Sequence, residues 1–131
     1  MKHESIIVVY DSCQALADEI ADKLGVETVG AQSVNNRQIE NSHSIVLALE
    51  CQKNGELTPH WQWVRHTLCH ADLSGKNVAI LLAVGDRLSH DADMFCTELS
   101  ENNAHVVGSI LDSCTTGSSL DNWICAVSPN L

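Results

Sequence analysis

The feature that most constrains this chain is the run Val78-Ala79-Ile80-Leu81-Leu82-Ala83-Val84, seven apolar residues with no polar alternation. A strand with one wet face alternates. A continuous apolar run of this length belongs to a strand covered on both faces, as in the middle of a parallel sheet. Gly85-Asp86-Arg87 breaks the strand, and a helical pattern begins near Ser89. In open α/β sheets ligands sit just beyond the carboxyl ends of the strands, so residues 85–90 should wall any site.

The rest of the chain repeats this alternation. Residues 5–10 form a first buried strand, Asp11-Ser12 a very short turn, and Leu16, Ala17, Ile20, Ala21 and Leu24 an apolar helical stripe stopped by Gly25. Residues 26–30 read as a short second strand, 33–41 as a loop with one helical turn, and 44–49 as the third strand. Asn54-Gly55 centres a loop, and Thr58-Pro59 opens a helix whose core stripe is Leu57, Trp61, Val64 and Leu68. Ala92, Phe95, Cys96 and Leu99 mark the next helix, ended by Asn102-Asn103. A fifth strand over 104–111 and a final helix around Leu120, Trp123, Ile124 and Val127 complete the pattern. Strands and helices alternating throughout predict one α/β domain over 1–131, with a parallel sheet covered on both faces.

Charge narrows the partners. Seventeen acidic against seven basic residues give a net charge of -10. Such a surface repels nucleic-acid backbones and anionic membranes and suits docking onto a basic protein face. No apolar run approaches the ~20 residues that span a bilayer, and the first residues lack a signal-peptide pattern, so a cytoplasmic address is expected. Six cysteines (13, 51, 69, 96, 114 and 125) include no Cys-x-x-Cys pair and are expected as reduced thiols.

Several segments resemble flavodoxins, in order and at matching separations. Gly55-Glu56-Leu57-Thr58-Pro59-His60-Trp61 is similar to the Gly-Glu-Leu-x-x-x-Trp that follows the third strand of the longer members. Gly75-Lys76-Asn77-Val78-Ala79 and Gly85-Asp86 are similar to that family's Gly-Lys-x-Val-Ala and Gly-Asp. Asp93-Met94-Phe95-Cys96, Ala104-His105-Val106-Val107-Gly108 and the ending from Leu111 to Trp123 extend the match. The resemblance implies a flavodoxin-like three-layer αβα sandwich, strand order 2-1-3-4-5, with FMN as cofactor and electron transport as function. Nothing between Gly108 and Trp123 has room for the long loop that interrupts the last strand of long-chain members.

The resemblance places the family's flavin loops on three stretches: Asp11, Ser12, Cys13 and Gln14; Cys51, Gln52, Lys53 and Asn54; and Gly85, Asp86, Arg87 and His90. Family members cradle the phosphate in a Ser/Thr-x-Thr-Gly-Asn-Thr loop at a helix N-terminus. Between Tyr10 and Leu16 this chain has no glycine for an anion nest, is several residues shorter, and puts the Asp11 carboxylate beside the expected dianion. The two positions that usually stack aromatic rings on the flavin fall on Gln52 and His90. No cofactor is therefore expected. An FMN carrier with a non-standard grip is the alternative, using Ser12, Gln14 and helix-terminal amides for the phosphate and Trp61 or Trp63 over the ring.

Two other constellations carry chemistry. His66 and His70 share a helix face at a spacing that can chelate zinc, with Cys69 or His60 as a third candidate, but they lie off the core stripe and read first as a solvated face. Cys13, Cys51 and His90 fall on loops expected to converge at the sheet's carboxyl edge, where a thiol or metal sensor in the former flavin pocket is a further alternative. No nucleophile elbow or paired-carboxylate motif supports an enzyme. The expected function is an acidic docking or regulatory module of redox metabolism, facing a basic redox protein.

Overall fold

Val8 and Val9 are neighbours in the chain yet lie in different hydrophobic cores, which is why the strands are apolar without alternation. The computed structural model describes residues 6–11, 14–49, 57–82, 90–107 and 125, with backbone alone for Leu16, Leu82, 90–93 and Val107. The elements are β1 (Ile6–Tyr10), α1 (Gln14–Leu24), β2 (Glu27–Gly30), α2 (Asn36–Asn41), β3 (Ser44–Leu49), α3 (Pro59–Cys69), β4 (Asn77–Leu82), α4 (His90–Glu101) and β5 (His105–Val107). The strands form one sheet in the order β2-β1-β3-β4-β5, all pairs parallel.

Register fixes which residues meet. Val8, Val46 and Ala79 lie side by side across β1, β3 and β4 and face Ala17, Ile20 and Ala21 of α1. Val9, Leu47 and Ile80, one residue on, face the opposite core with Ile39 of α2, Trp61, Val64 and Leu68 of α3, and Phe95 and Leu99 of α4. α1 therefore covers one face of the sheet and α2, α3 and α4 the other. Each fully buried Leu, Ile or Phe stabilises the fold by about 1.5–3 kcal/mol relative to exposure, so both layers are held chiefly by apolar burial.

Helix ends follow local chemistry. Gly25, at φ 72°, lets Val26 N–H donate to Ala21 O at 2.9 Å and closes α1. Asn103, at φ 71°, does the same for α4, with Ala104 N–H donating to Leu99 O at 3.0 Å. Asn102 reaches sideways: its amide nitrogen lies 3.1 Å from Leu68 O and 2.5 Å from Ala71 O, supplying a donor to the carbonyl end of α3. Arg65 grips Glu98 through two bonds, Nε to Oε1 at 2.7 Å and Nη2 to Oε2 at 2.8 Å, and so pins α3 to α4.

The structure refines the expected boundaries. The second strand begins at Glu27 rather than Val26, and α4 at His90. Within 33–41 the helical portion is a six-residue helix, because Asn35 and Gln38 form a reciprocal capping box with both bonds at 2.9 Å. The described part of the fifth strand is His105–Val107; the rest of 104–111, and the final helix apart from Cys125, lie outside the described residues. Among the described residues no helix is long and apolar enough to cross a membrane.

Candidate functional site

At the carboxyl end of β1 the chain runs from Tyr10 to the start of α1 at Gln14, a connection of residues 11–13. Asp11 is the described member of that link, and its carboxylate is engaged. His60 Nδ1 lies 2.8 Å from Oδ1, and the Thr58 hydroxyl lies 3.3 Å from Oδ2. An ionised carboxylate only accepts, so His60 donates from Nδ1. The Asp11 side chain is 15% exposed and that of His60 50%. Thr58 is the N-cap of α3 and makes no side-chain bond to its own helix; its hydroxyl donates to Asp11 instead.

Local sequence explains the arrangement. Thr58 holds extended geometry at φ -66° and ψ 163°, and Pro59 occupies the first helical turn, where its missing N–H costs nothing. Trp61, two positions on, is fully buried beneath the sheet and anchors the helix start. The first turn of α3 is thereby held against the end of β1. An imidazole oriented by a carboxylate in this way can accept or release a proton at its other ring nitrogen.

Of the other flavin-loop positions, Gln14 is the exposed first residue of α1. Ser12, Cys13, Cys51, Gln52, Lys53, Asn54, Gly85, Asp86 and Arg87 lie outside the described residues, as does the His90 side chain, and with them the Cys13, Cys51 and His90 grouping. Trp61, one of the two tryptophans offered for the flavin ring, is locked in the core; Trp63 is 47% exposed on the outer side of α3. The Gly75-Lys76 pair is framework. Gly75 turns at φ 79°, and the Lys76 ammonium donates to Glu40 O at 3.0 Å and Ser42 O at 2.6 Å at the carboxyl end of α2.

A groove of about 620 Å³ runs between the carboxyl halves of α3 and α4, toward the opposite edge of the sheet. Cys69 lines it with its thiol 3.5 Å from Glu98 Oε1. Burial and the adjoining carboxylate push that thiol up to about 11, while the Arg65 guanidinium holds Glu98 below the usual carboxylate range. The rings of His66 and His70 lie 4.2 Å apart on the same rim. Neither third ligand suggested by sequence joins them: Cys69 is committed to Glu98 and His60 to Asp11. Among the described residues no group of three or more metal-binding side chains is assembled. Cys69, Cys96 and Cys125 are free thiols, as expected for those three.

No protein-family model and no curated protein matches the sequence. Solved structures do. Oxidised flavodoxin 2 from Bacillus cereus superposes with a TM-score of 0.82 over 97% of this chain and 99% of its own, at 22% identity. The chain has the flavodoxin fold. The Streptococcus pneumoniae TIGR4 flavodoxin gives a TM-score of 0.78 at 16% identity, covering 96% of this chain and 97% of that one. The Fusobacterium nucleatum flavodoxin bound to flavin mononucleotide gives 0.76 at 16% identity, covering 96% of each. These similarities run the length of the chain, and the expected strand order 2-1-3-4-5 is the one observed.

Within that fold, the residues that follow β1 bear directly on any phosphate held there. The first of them is a carboxylate already bonded within the protein, followed by two residues before α1 starts. A dianion about 4 Å from such a carboxylate meets roughly 4 kcal/mol of repulsion per unit charge at an effective dielectric near 20, before screening.

Proposed function

We propose that this protein is a flavodoxin-fold module that has given up tight FMN binding and acts, without catalysis of its own, by docking onto a basic-faced protein of redox metabolism. The carrying observation is the Asp11 carboxylate at the end of β1, tied to Thr58 and His60 where a phosphate grip would be needed. The three-residue link from β1 to α1 supports the same reading, since a six-residue phosphate loop has no room there. A net charge of -10 favours encounter with a positively charged face and makes that association sensitive to salt. A cytoplasmic setting belongs to this reading, where such partners and reduced thiols occur together.

The test is an absorbance spectrum between about 350 and 500 nm of the protein as isolated, followed by FMN titration with fluorescence and calorimetry. A colourless protein with no saturable micromolar binding is expected. A yellow protein with stoichiometric FMN overturns the proposal. That outcome would favour the second reading, an FMN electron carrier with a non-standard grip, whose support is the whole-length likeness to a flavodoxin solved with flavin mononucleotide. In that case Gln14 and helix-terminal amides hold the phosphate, and the ring contact falls to residues other than the buried Trp61.

A further inference from the structure

The His66 and His70 pair is left unused by the reading above and has its own geometry. The two residues are one helical turn apart at the carboxyl end of α3, both exposed, with ring centroids 4.2 Å apart and planes inclined at 41°. His70 Nδ1 lies 2.8 Å from the backbone carbonyl of His66. A carbonyl only accepts, so Nδ1 carries the hydrogen, and the lone pair of the neutral ring sits on Nε2. This is the device that sets the tautomer of metal-ligating histidines: one nitrogen donates to an oxygen and the other is presented to the ion.

We propose that His66 and His70 form a two-imidazole anchor for a borderline divalent transition cation of the Zn²⁺ type, with water completing its coordination shell.

Two imidazoles bound to one zinc at about 2.0–2.1 Å hold their nitrogens roughly 3 Å and their ring centroids about 5 Å apart, so rings now 4.2 Å apart need to swing open by only about 1 Å. Because His66 lies in the last turn of α3 and His70 is its C-cap, the second ligand is delivered with little further ordering cost. The surroundings favour positive charge. The helix carboxyl terminus carries partial negative charge, Glu101 lines the same groove, and the chain as a whole is strongly acidic. Imidazole nitrogen selects zinc-like ions over Mg²⁺ and Ca²⁺, which prefer oxygen. Cys69 takes no part, because its thiol is turned to Glu98 and held protonated. The site lies away from the end of β1, so it stands or falls independently of flavin binding.

The test titrates the full chain with Zn²⁺ by calorimetry, beside His66→Ala, His70→Ala and, as a control, His43→Gln. Alanine favours the helix at exposed position 66, and position 70 is an exposed helix cap, so both variants should stay folded, which circular dichroism checks. One Zn²⁺ per chain is expected, with affinity at least about tenfold weaker in each of the two alanine variants and unchanged in the control. Imidazole NMR of the unmodified protein supplies a readout free of any variant, and the Zn²⁺-dependent shifts should be largest at His66 and His70. No binding, equal affinity in either alanine variant, or shifts centred on other histidines overturns the proposal.

Discussion

The Asp11 carboxylate lies 2.8 Å from Nδ1 of His60, joining the end of the first strand to the first turn of the helix that follows the third. The two residues are 49 positions apart, and their contact closes a corner of the crevice edge where this fold holds cofactors.

Replacing Asp11 by Asn removes the charge from that contact and from the Thr58 hydroxyl bond. Stability at pH 7 should fall by about 1–2 kcal/mol, measured by urea unfolding. Losing the charge should not create flavin binding, because the link to α1 keeps its length. FMN fluorescence should remain unquenched at micromolar protein for both the wild type and the variant.

Arg65→Met should cost about 1 kcal/mol near neutral pH. Hydrogen bonding from Arg65 is the main reason that Glu98 titrates below the usual carboxylate range. A lowered folded value gives stability that is present above the ordinary carboxylate range and lost as pH falls through the folded value. The gap between wild type and Arg65→Met should therefore close on acidification, measured as denaturation midpoints at pH 7, 5 and 3.

Cys69 should be slow to alkylate. Burial first, then the Glu98 carboxylate, raise its thiol from 9.0 to about 11, leaving roughly a hundredfold less thiolate at a given pH. At pH 8, iodoacetamide should modify exposed Cys125 at least about tenfold faster, read by peptide mass spectrometry. The same raised value gives stability that is intact below pH 9 and lost as pH climbs towards about 11, so alkaline unfolding should be eased by this thiol.

Asn103 tests the end of α4. Its φ of 71° is a conformation that glycine enters freely and a β-branched residue resists. Asn103→Gly should leave the melting temperature unchanged or slightly higher. Asn103→Val should cost about 1–2 kcal/mol by thermal unfolding.

Much of the framework was legible in the chain itself, for reasons that are local. The apolar run 78–84 announced a doubly covered strand, described over Asn77–Leu82, because periodicity is a property of neighbours, and Thr58-Pro59 and Gly25 marked helix ends because caps act within a turn. The six-residue α2 could also have been read: Asn35-x-x-Gln38 is a capping-box spacing, but the segment's polarity concealed it. What sequence could not supply was contact across the fold. Nothing near Asp11 announces His60, nothing near Asn102 announces the carbonyls of α3, and nothing near Cys69 announces Glu98. The departure of residues 11–14 from a phosphate loop was legible as shortness and charge; that the carboxylate is already hydrogen-bonded from within needed the fold.

The brevity of the path from β1 to α1 has a consequence for descent. Three residues span at most about 10 Å when fully drawn out, and exchanging one amino acid for another leaves that span as it was. On the reading proposed above, a lineage carrying this protein could vary every side chain at the crevice by single exchanges without lengthening the backbone there. Adding amides to ring a phosphate would take inserted codons, so the sequence can drift widely at this edge while the path keeps its length.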